Sequence, residues 1–142
     1  MLTSFATSQF HWADLLRPAS GILHRRRGLD EGERALVAMI AAREAGYPQD
    51  ADRYAQQAAG LARDPYAIAL LLEEGFPSPL TGRIGAIATA AGALAATRPS
   101  FGRAEMKRLE AQRVDLDDVI DIIATVALVQ SNLLGEPPRL AA

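Results

Sequence analysis

The sequence predicts an all-α protein, a compact helical bundle of six or seven helices. Three observations carry this. Alanine and leucine dominate an apolar fraction of 49%, while aromatics make up only 6%; such a composition favours helix over sheet. Apolar residues recur at i, i+3, i+4 spacing. Capping and breaking residues punctuate the chain at short intervals, as in a bundle with short connections. The 142 residues suit one domain around one core, since a chain of this size buries roughly 68–70% of its unfolded surface.

Residues 1–28 read as a lead-in segment, 29–136 as the helical domain and 137–142 as a tail. Within the lead-in, Trp12, Leu15 and Leu16 are spaced to form a short amphipathic turn that docks on the body, broken by Pro18 and Gly21. His24, Arg25, Arg26 and Arg27 form a basic cluster. It reads as a solvated loop, with an anion or acidic-partner contact as the alternative.

The first long helix starts at Asp30, where Asp30 and Glu33 match the reciprocal capping pattern. Leu36, Met39 and Ile40 define its buried face, Arg34 and Arg43 fall away from it, and Gly46 and Pro48 end it. A second helix runs from about Gln49 to Ala62, polar at Asp52, Arg53 and Gln56. Asp64 and Pro65 open a third, as cap and first helical residue; it carries Ile68, Leu70, Leu71 and Leu72 and stops at Gly75. Thr81 caps a fourth, through Ala96, whose small residues predict a close approach to another helix. A fifth spans about Gly102 to Gln112, amphipathic through Met106 and Leu109. Asp115 caps the last helix, with Asp117 and Asp118 in its first turn. Val119, Ile120, Ile122, Ile123, Val126, Leu128 and Val129 surround that helix on most sides, which predicts a buried one. Gly135 and Pro137 end it.

Composition excludes several functions. The net charge is −2, so no global field draws nucleic acid or a membrane surface. The uncharged run from Ile84 to Thr97 is too short and too weakly apolar to span a bilayer. The N-terminus lacks the basic start of an export signal, so the cytoplasm is the expected location. The chain contains no cysteine, which removes disulfides, thiolate metal sites and thiol nucleophiles together. His11 and His24, the only histidines, sit in no metal-ligand spacing, and no metal or cofactor is expected. Neither a Gly-x-Ser-x-Gly turn nor a glycine-rich phosphate loop is present.

What remains are carboxylates and tyrosines around the break between the first two helices. Glu31, Glu33, Glu44, Asp50 and Asp52 cluster there, flanked by Tyr47 and Tyr54. Glu33 and Glu44 share a face but lie roughly 16 Å apart along it, too far to act as a close acid pair. Glu33 reads either as a helix cap or as a site carboxylate. The tyrosines can exchange hydrogen bonds but are poor bases near neutrality.

The order of these features resembles the carboxymuconolactone decarboxylase and alkyl hydroperoxidase D-like superfamily over about residues 28–136. LDEGERALVAMIAAREAGY is similar to that family's long helix leading to its site. SPLTGRIGAIATAAGALA is similar to the following helix. VDLDDVIDIIATVALVQSNLL is similar to the final one, with its acidic start, apolar middle and late Asn, here Asn132. The family's redox members carry Cys-x-x-Cys, a His four residues later and a Glu twelve residues before the first Cys. With Glu33 as that Glu, Ala45 and Pro48 stand at the Cys positions, Asp52 at the His and Tyr47 before the second Cys. A second register puts Tyr47, Asp50 and Tyr54 at the three positions.

The resemblance implies an alkyl hydroperoxidase D-like fold and a homo-oligomer, trimer or hexamer. Without thiols, peroxidase and disulfide-reductase activity are excluded. The leading expectation is a divergent member that binds a small ligand in a pocket near Glu33, Glu44, Tyr47, Asp50 and Tyr54, or is purely structural. The first alternative is a cofactor-free decarboxylase or lyase acting on a small carboxylated compound, with Glu33, Tyr47 and Asp52 as catalytic candidates. The second is a partner-binding subunit that uses His24 to Arg27.

Overall fold

The computed structural model describes residues 28–61 and 64–135. The docking turn at Trp12, the basic cluster and the tail lie outside them. Among the described residues six helices follow in order: α1 Glu31–Glu44, α2 Pro48–Leu61, α3 Pro65–Glu74, α4 Gly82–Ala95, α5 Arg103–Ala111 and α6 Leu116–Gly135. Among the described residues there is no strand, and the bundle is all-α as predicted.

α1 is the central helix. It packs against α2, α4 and α6 and touches α3, and every residue from Ala35 to Ala42 is buried. Four alanines in that run let neighbours close in from all sides, while Leu36, Met39 and Ile40 supply the bulk. Each of these large side chains, fully buried, contributes about 1.5–3 kcal/mol. Ile68 and Leu71 of α3, Ile87 of α4, Leu109 of α5 and Ile122 of α6 complete the innermost layer.

The last helix, predicted to be buried on most sides, is buried at Val119, Ile122, Val126 and Val129 but open along one stripe. Ile122, Val126 and Val129 face the core, but Leu116, Ile120, Ile123 and Leu134 are exposed, Leu116 by 69%. Side-chain size misled the sequence reading: α1 is enclosed because its residues are small, and α6 keeps large residues on an outer stripe.

The helix ends follow from local chemistry. Asp30 accepts from the Glu33 amide at 2.8 Å while the Glu33 carboxylate accepts from the Asp30 amide at 3.2 Å, closing a capping box. Pro48 opens α2 as its first residue, where its missing N–H costs nothing, and the Tyr47 carbonyl accepts the first bond of that helix. Asp64 caps α3 through the Ala67 amide, and Asp115 caps α6 through the Asp118 amide. Thr81 takes the predicted cap position of α4, but its side chain makes no capping bond.

The small residues of α4 serve two purposes: Ala86, Ala88, Ala90 and Ala91 are buried in a helix that packs on α1, α5 and α6, and the glycines make room for a loop. A Cβ on Gly85 would collide with the Leu80 carbonyl, and one on Gly92 with the Phe76 ring. Both glycines admit the connection that precedes α4, a tight approach between helix and loop.

Arg34 and Arg43 leave the apolar face of α1 without becoming free surface residues. Arg34 reaches Asp121 of α6. Arg43 donates from Nε to the Leu72 carbonyl near the end of α3, at 2.8 Å.

Candidate functional site

The predicted site carboxylate, Glu33, is 9% exposed and fully engaged. Arg83 donates from Nε to Oε2 at 2.7 Å and from Nη2 to Oε1 at 3.1 Å, a bidentate pair. Its Nη1 reaches Asp118 Oδ2 at 3.3 Å, and the Asp115 amide donates to the same oxygen at 3.2 Å. Glu33, Arg83 and Asp118 sit in the first turns of α1, α4 and α6, so three helix N-termini converge on one cluster. Their partial positive charges favour the carboxylates there. The hydrogen bond to Glu33 raises the pKa of Arg83, burial opposing it. Burial pushes the Asp118 carboxyl up, against the Asp115 amide and Arg83. Asp118 Oδ1 is buried without a partner. This geometry makes a clamp between three helices, in which both Glu33 oxygens already accept hydrogen bonds.

The remaining predicted site residues do not converge. The Tyr47 hydroxyl donates to the Leu133 carbonyl at 2.9 Å, pinning the end of α6 to the α1–α2 junction. Glu44 pairs with Arg43, Asp50 with Arg53, and exposed Asp52 accepts from Gln56. Arg53 also lies over the Tyr54 ring, 5.5 Å from its centre. Ala45 and Pro48, the positions matched to the family's cysteines, cap α1 and begin α2. Asn132 is exposed on the last turns of α6.

Of the candidates, Tyr54 lines a cavity. This is an open groove of about 330 Å³ between α1, α2 and α6, at the lower end of ligand-pocket sizes. Ala35, Ala38, Leu128 and Val129 form its apolar lining; Glu31, Arg34, Tyr54, Gln57 and Thr125 supply polar groups. Arg34 Nη2 is shared between Asp121 Oδ2 and the Leu29 carbonyl, both at 3.1 Å. Arg34 Nε and Thr125 Oγ1 are buried without partners.

Sequence reasoning passed over Arg34, Asp121 and Thr125 as site residues. Asp121 is 3% exposed within the run Val119 to Ile123. A carboxylate in such a run demands a partner, and that signal was present. Gln130 is another: its amide donates to the Ala95 carbonyl at 2.9 Å and more weakly to Ala41 at 3.4 Å, bridging α1 and α4. No spacing rule identifies those distant carbonyls.

Among the described residues, no group of three or more His, Asp or Glu side chains is arranged to hold a metal, and no helix is long and apolar enough to cross a membrane. No protein-family model matches the chain, and no curated protein or solved structure matches it.

Proposed function

We propose that this chain is a cysteine-free relative of the carboxymuconolactone decarboxylase and alkyl hydroperoxidase D-like proteins that binds a small molecule in the groove between α1, α2 and α6. The order of helices supports the relationship: a long helix carrying Glu33, a helix following Ser78 and Pro79, and an acidic-capped final helix. Having no cysteine, the chain itself cannot run a thiol peroxidase or disulfide-reductase cycle.

The groove carries the binding reading. It combines an apolar lining with Tyr54 and Gln57 at one side and Arg34 at the other, the mixture of burial and a few orienting groups that ligand sites use. Arg34 is already balanced by Asp121, and Glu31 adds a negative charge. The local field therefore favours an uncharged ligand with an apolar body and one hydrogen-bonding group over a carboxylate. That, together with the engagement of Glu33 by Arg83, argues against a lyase for carboxylated compounds.

Amide-resolved NMR titration with benzyl alcohol and benzoate tests this. Benzyl alcohol is expected to shift the amides of Arg34, Tyr54 and Thr125 more than benzoate does. A Leu128→Trp variant, which fills the groove, should abolish the effect. No shift with either compound, or equal shifts in the filled variant, would overturn the reading.

The exposed stripe of α6 supports a homo-oligomer, trimer or hexamer by the family resemblance. Leu116, Ile120, Ile123 and Leu134 fall on one side of the helix, and such apolar stripes mark association surfaces. Sedimentation of the wild type and of Ile120→Asp is the test. A wild type that sediments as a monomer sinks the proposal.

A further inference from the structure

Folded proteins pair nearly all of their buried polar atoms. Among the described residues, three buried side-chain atoms have no hydrogen-bond partner: Asp118 Oδ1, Arg34 Nε and Thr125 Oγ1. The last two belong to residues that line the groove between α1, α2 and α6. Thr125 is 2% exposed, so its hydroxyl has left water without gaining a protein partner. Threonine populates two χ1 rotamers in a helix, and the hydroxyl can turn toward the groove without moving the backbone. Both atoms belong to one neighbourhood: Asp121, which holds Arg34, precedes Thr125 by one turn of α6.

Two Arg–carboxylate pairs of the same molecule differ in a way that singles out Arg34. Arg83 engages Glu33 through Nε and Nη2 together, the two-point fork that suits a carboxylate. Arg34 uses Nη2 alone, on Asp121 Oδ2 and the Leu29 carbonyl, and its Nε makes no hydrogen bond. Those two acceptors fix the guanidinium, so a further acceptor must come to Nε. Asp121 already balances the charge of Arg34, and Glu31 adds a negative charge to the groove. A second carboxylate is disfavoured by that field and by the hydration it would lose in a site shielded from water. A neutral oxygen loses far less.

We propose that the groove takes a neutral carboxamide on an apolar body, its oxygen accepting from Arg34 Nε and its N–H donating to the Thr125 hydroxyl. An amide carries acceptor and donor on separate atoms, and so spans groups held by two helices, α1 and α6. An alcohol must serve both from one oxygen. Ala35, Ala38, Leu128 and Val129 receive the apolar body. On the ligand-binding reading above, which this assignment presupposes, Arg34 and Thr125 are the specificity-determining residues.

Amide-resolved NMR titration of the full chain with benzamide and acetophenone tests this, because the second replaces the NH2 of the first by a methyl group of similar size. Thr125→Val keeps the side-chain shape and removes the hydroxyl. The ratio of benzamide to acetophenone affinity should fall about three- to tenfold in that variant, the worth of one neutral hydrogen bond. Thr125→Ser, which keeps the hydroxyl, should retain the wild-type ratio. Because the hydroxyl has no partner in the free protein, the urea midpoint of Thr125→Val without ligand should equal or exceed that of the wild type. A ratio unchanged in Thr125→Val, a ratio lost in Thr125→Ser, or a lowered midpoint in Thr125→Val overturns the amide assignment and leaves the ligand-binding reading standing. So does binding of benzyl alcohol with no binding of benzamide. No shift with benzamide, acetophenone, benzyl alcohol or benzoate sinks both.

Discussion

Arg83 holds Glu33 through two hydrogen bonds, Nε to Oε2 at 2.7 Å and Nη2 to Oε1 at 3.1 Å, and so ties the first turn of α4 to the first turn of α1. Glu33 is 11% exposed in its side chain and Arg83 37%. Removing the carboxylate would leave Arg83 facing Asp118 alone and the Asp30 amide without its acceptor. Glu33→Ala is expected to cost about 1–3 kcal/mol, less than for a fully buried pair because Arg83 recovers water. Urea unfolding measures it. A loss below a few tenths of a kcal/mol would show that the clamp contributes nothing.

Asp118 should make stability fall as pH rises. Burial places its folded-state pKa above the ordinary carboxylate value, which is about 3.9. Between that value and the raised one, the folded protein binds more protons than the unfolded chain. Its contribution is therefore complete below about pH 3.9 and declines as pH rises through the folded value. Asp118→Asn removes the titration while retaining an acceptor for Arg83. The stability of wild type minus that of the variant, from urea unfolding across a pH series, should drop as pH rises above about 3.9. A flat or rising difference would contradict the burial argument.

The same two residues mark what the sequence made legible. The Asp30–Glu33 capping box and the Asp115 cap were readable because their partners lie three residues apart, within one helical turn. The roles of Glu33 and Asp118 beyond their own helices were not: Arg83 lies fifty residues from one and thirty-five from the other. The all-α class followed from composition and periodicity, which act locally. The identity of the central helix did not, because enclosure depends on how closely neighbours approach the alanines of α1. Of the residues that line the groove, Tyr54 and Glu31 were legible. The groove needs α1, α2 and α6 together, and no sequence spacing brings Arg34 to Asp121, eighty-seven residues away.

Tyr47 is expected to act as a pin and not as a catalytic group. Its hydroxyl satisfies the Leu133 carbonyl near the end of α6, where helical carbonyls lack intrahelical partners. Tyr47→Phe keeps the ring and removes one hydrogen bond, at a cost of about 0.5–1.5 kcal/mol. Faster amide hydrogen exchange should be confined to the last turns of α6 and the α1–α2 junction. Unchanged exchange there would remove the pinning role.

Three glycines separate packing from backbone propensity within helices. Gly60 of α2 has open space where a Cβ would project. Gly60→Ala should stabilise by about 0.4–1 kcal/mol, because alanine restricts the unfolded chain and favours helix. The same substitution in α4 carries the same propensity gain but meets atoms. At Gly85 the obstacle is backbone, the Leu80 carbonyl, which moves only if the whole connection shifts. At Gly92 it is the Phe76 ring, which is 36% exposed and can swing outward. Overpacking of this kind costs about 1–3 kcal/mol. Thermal unfolding should therefore rank the variants Gly60→Ala above wild type, wild type above Gly92→Ala, and Gly92→Ala above Gly85→Ala. If Gly85→Ala matched Gly60→Ala, the close approach of the Leu80 carbonyl to α4 would be wrong, and the small residues of that helix would reflect composition alone.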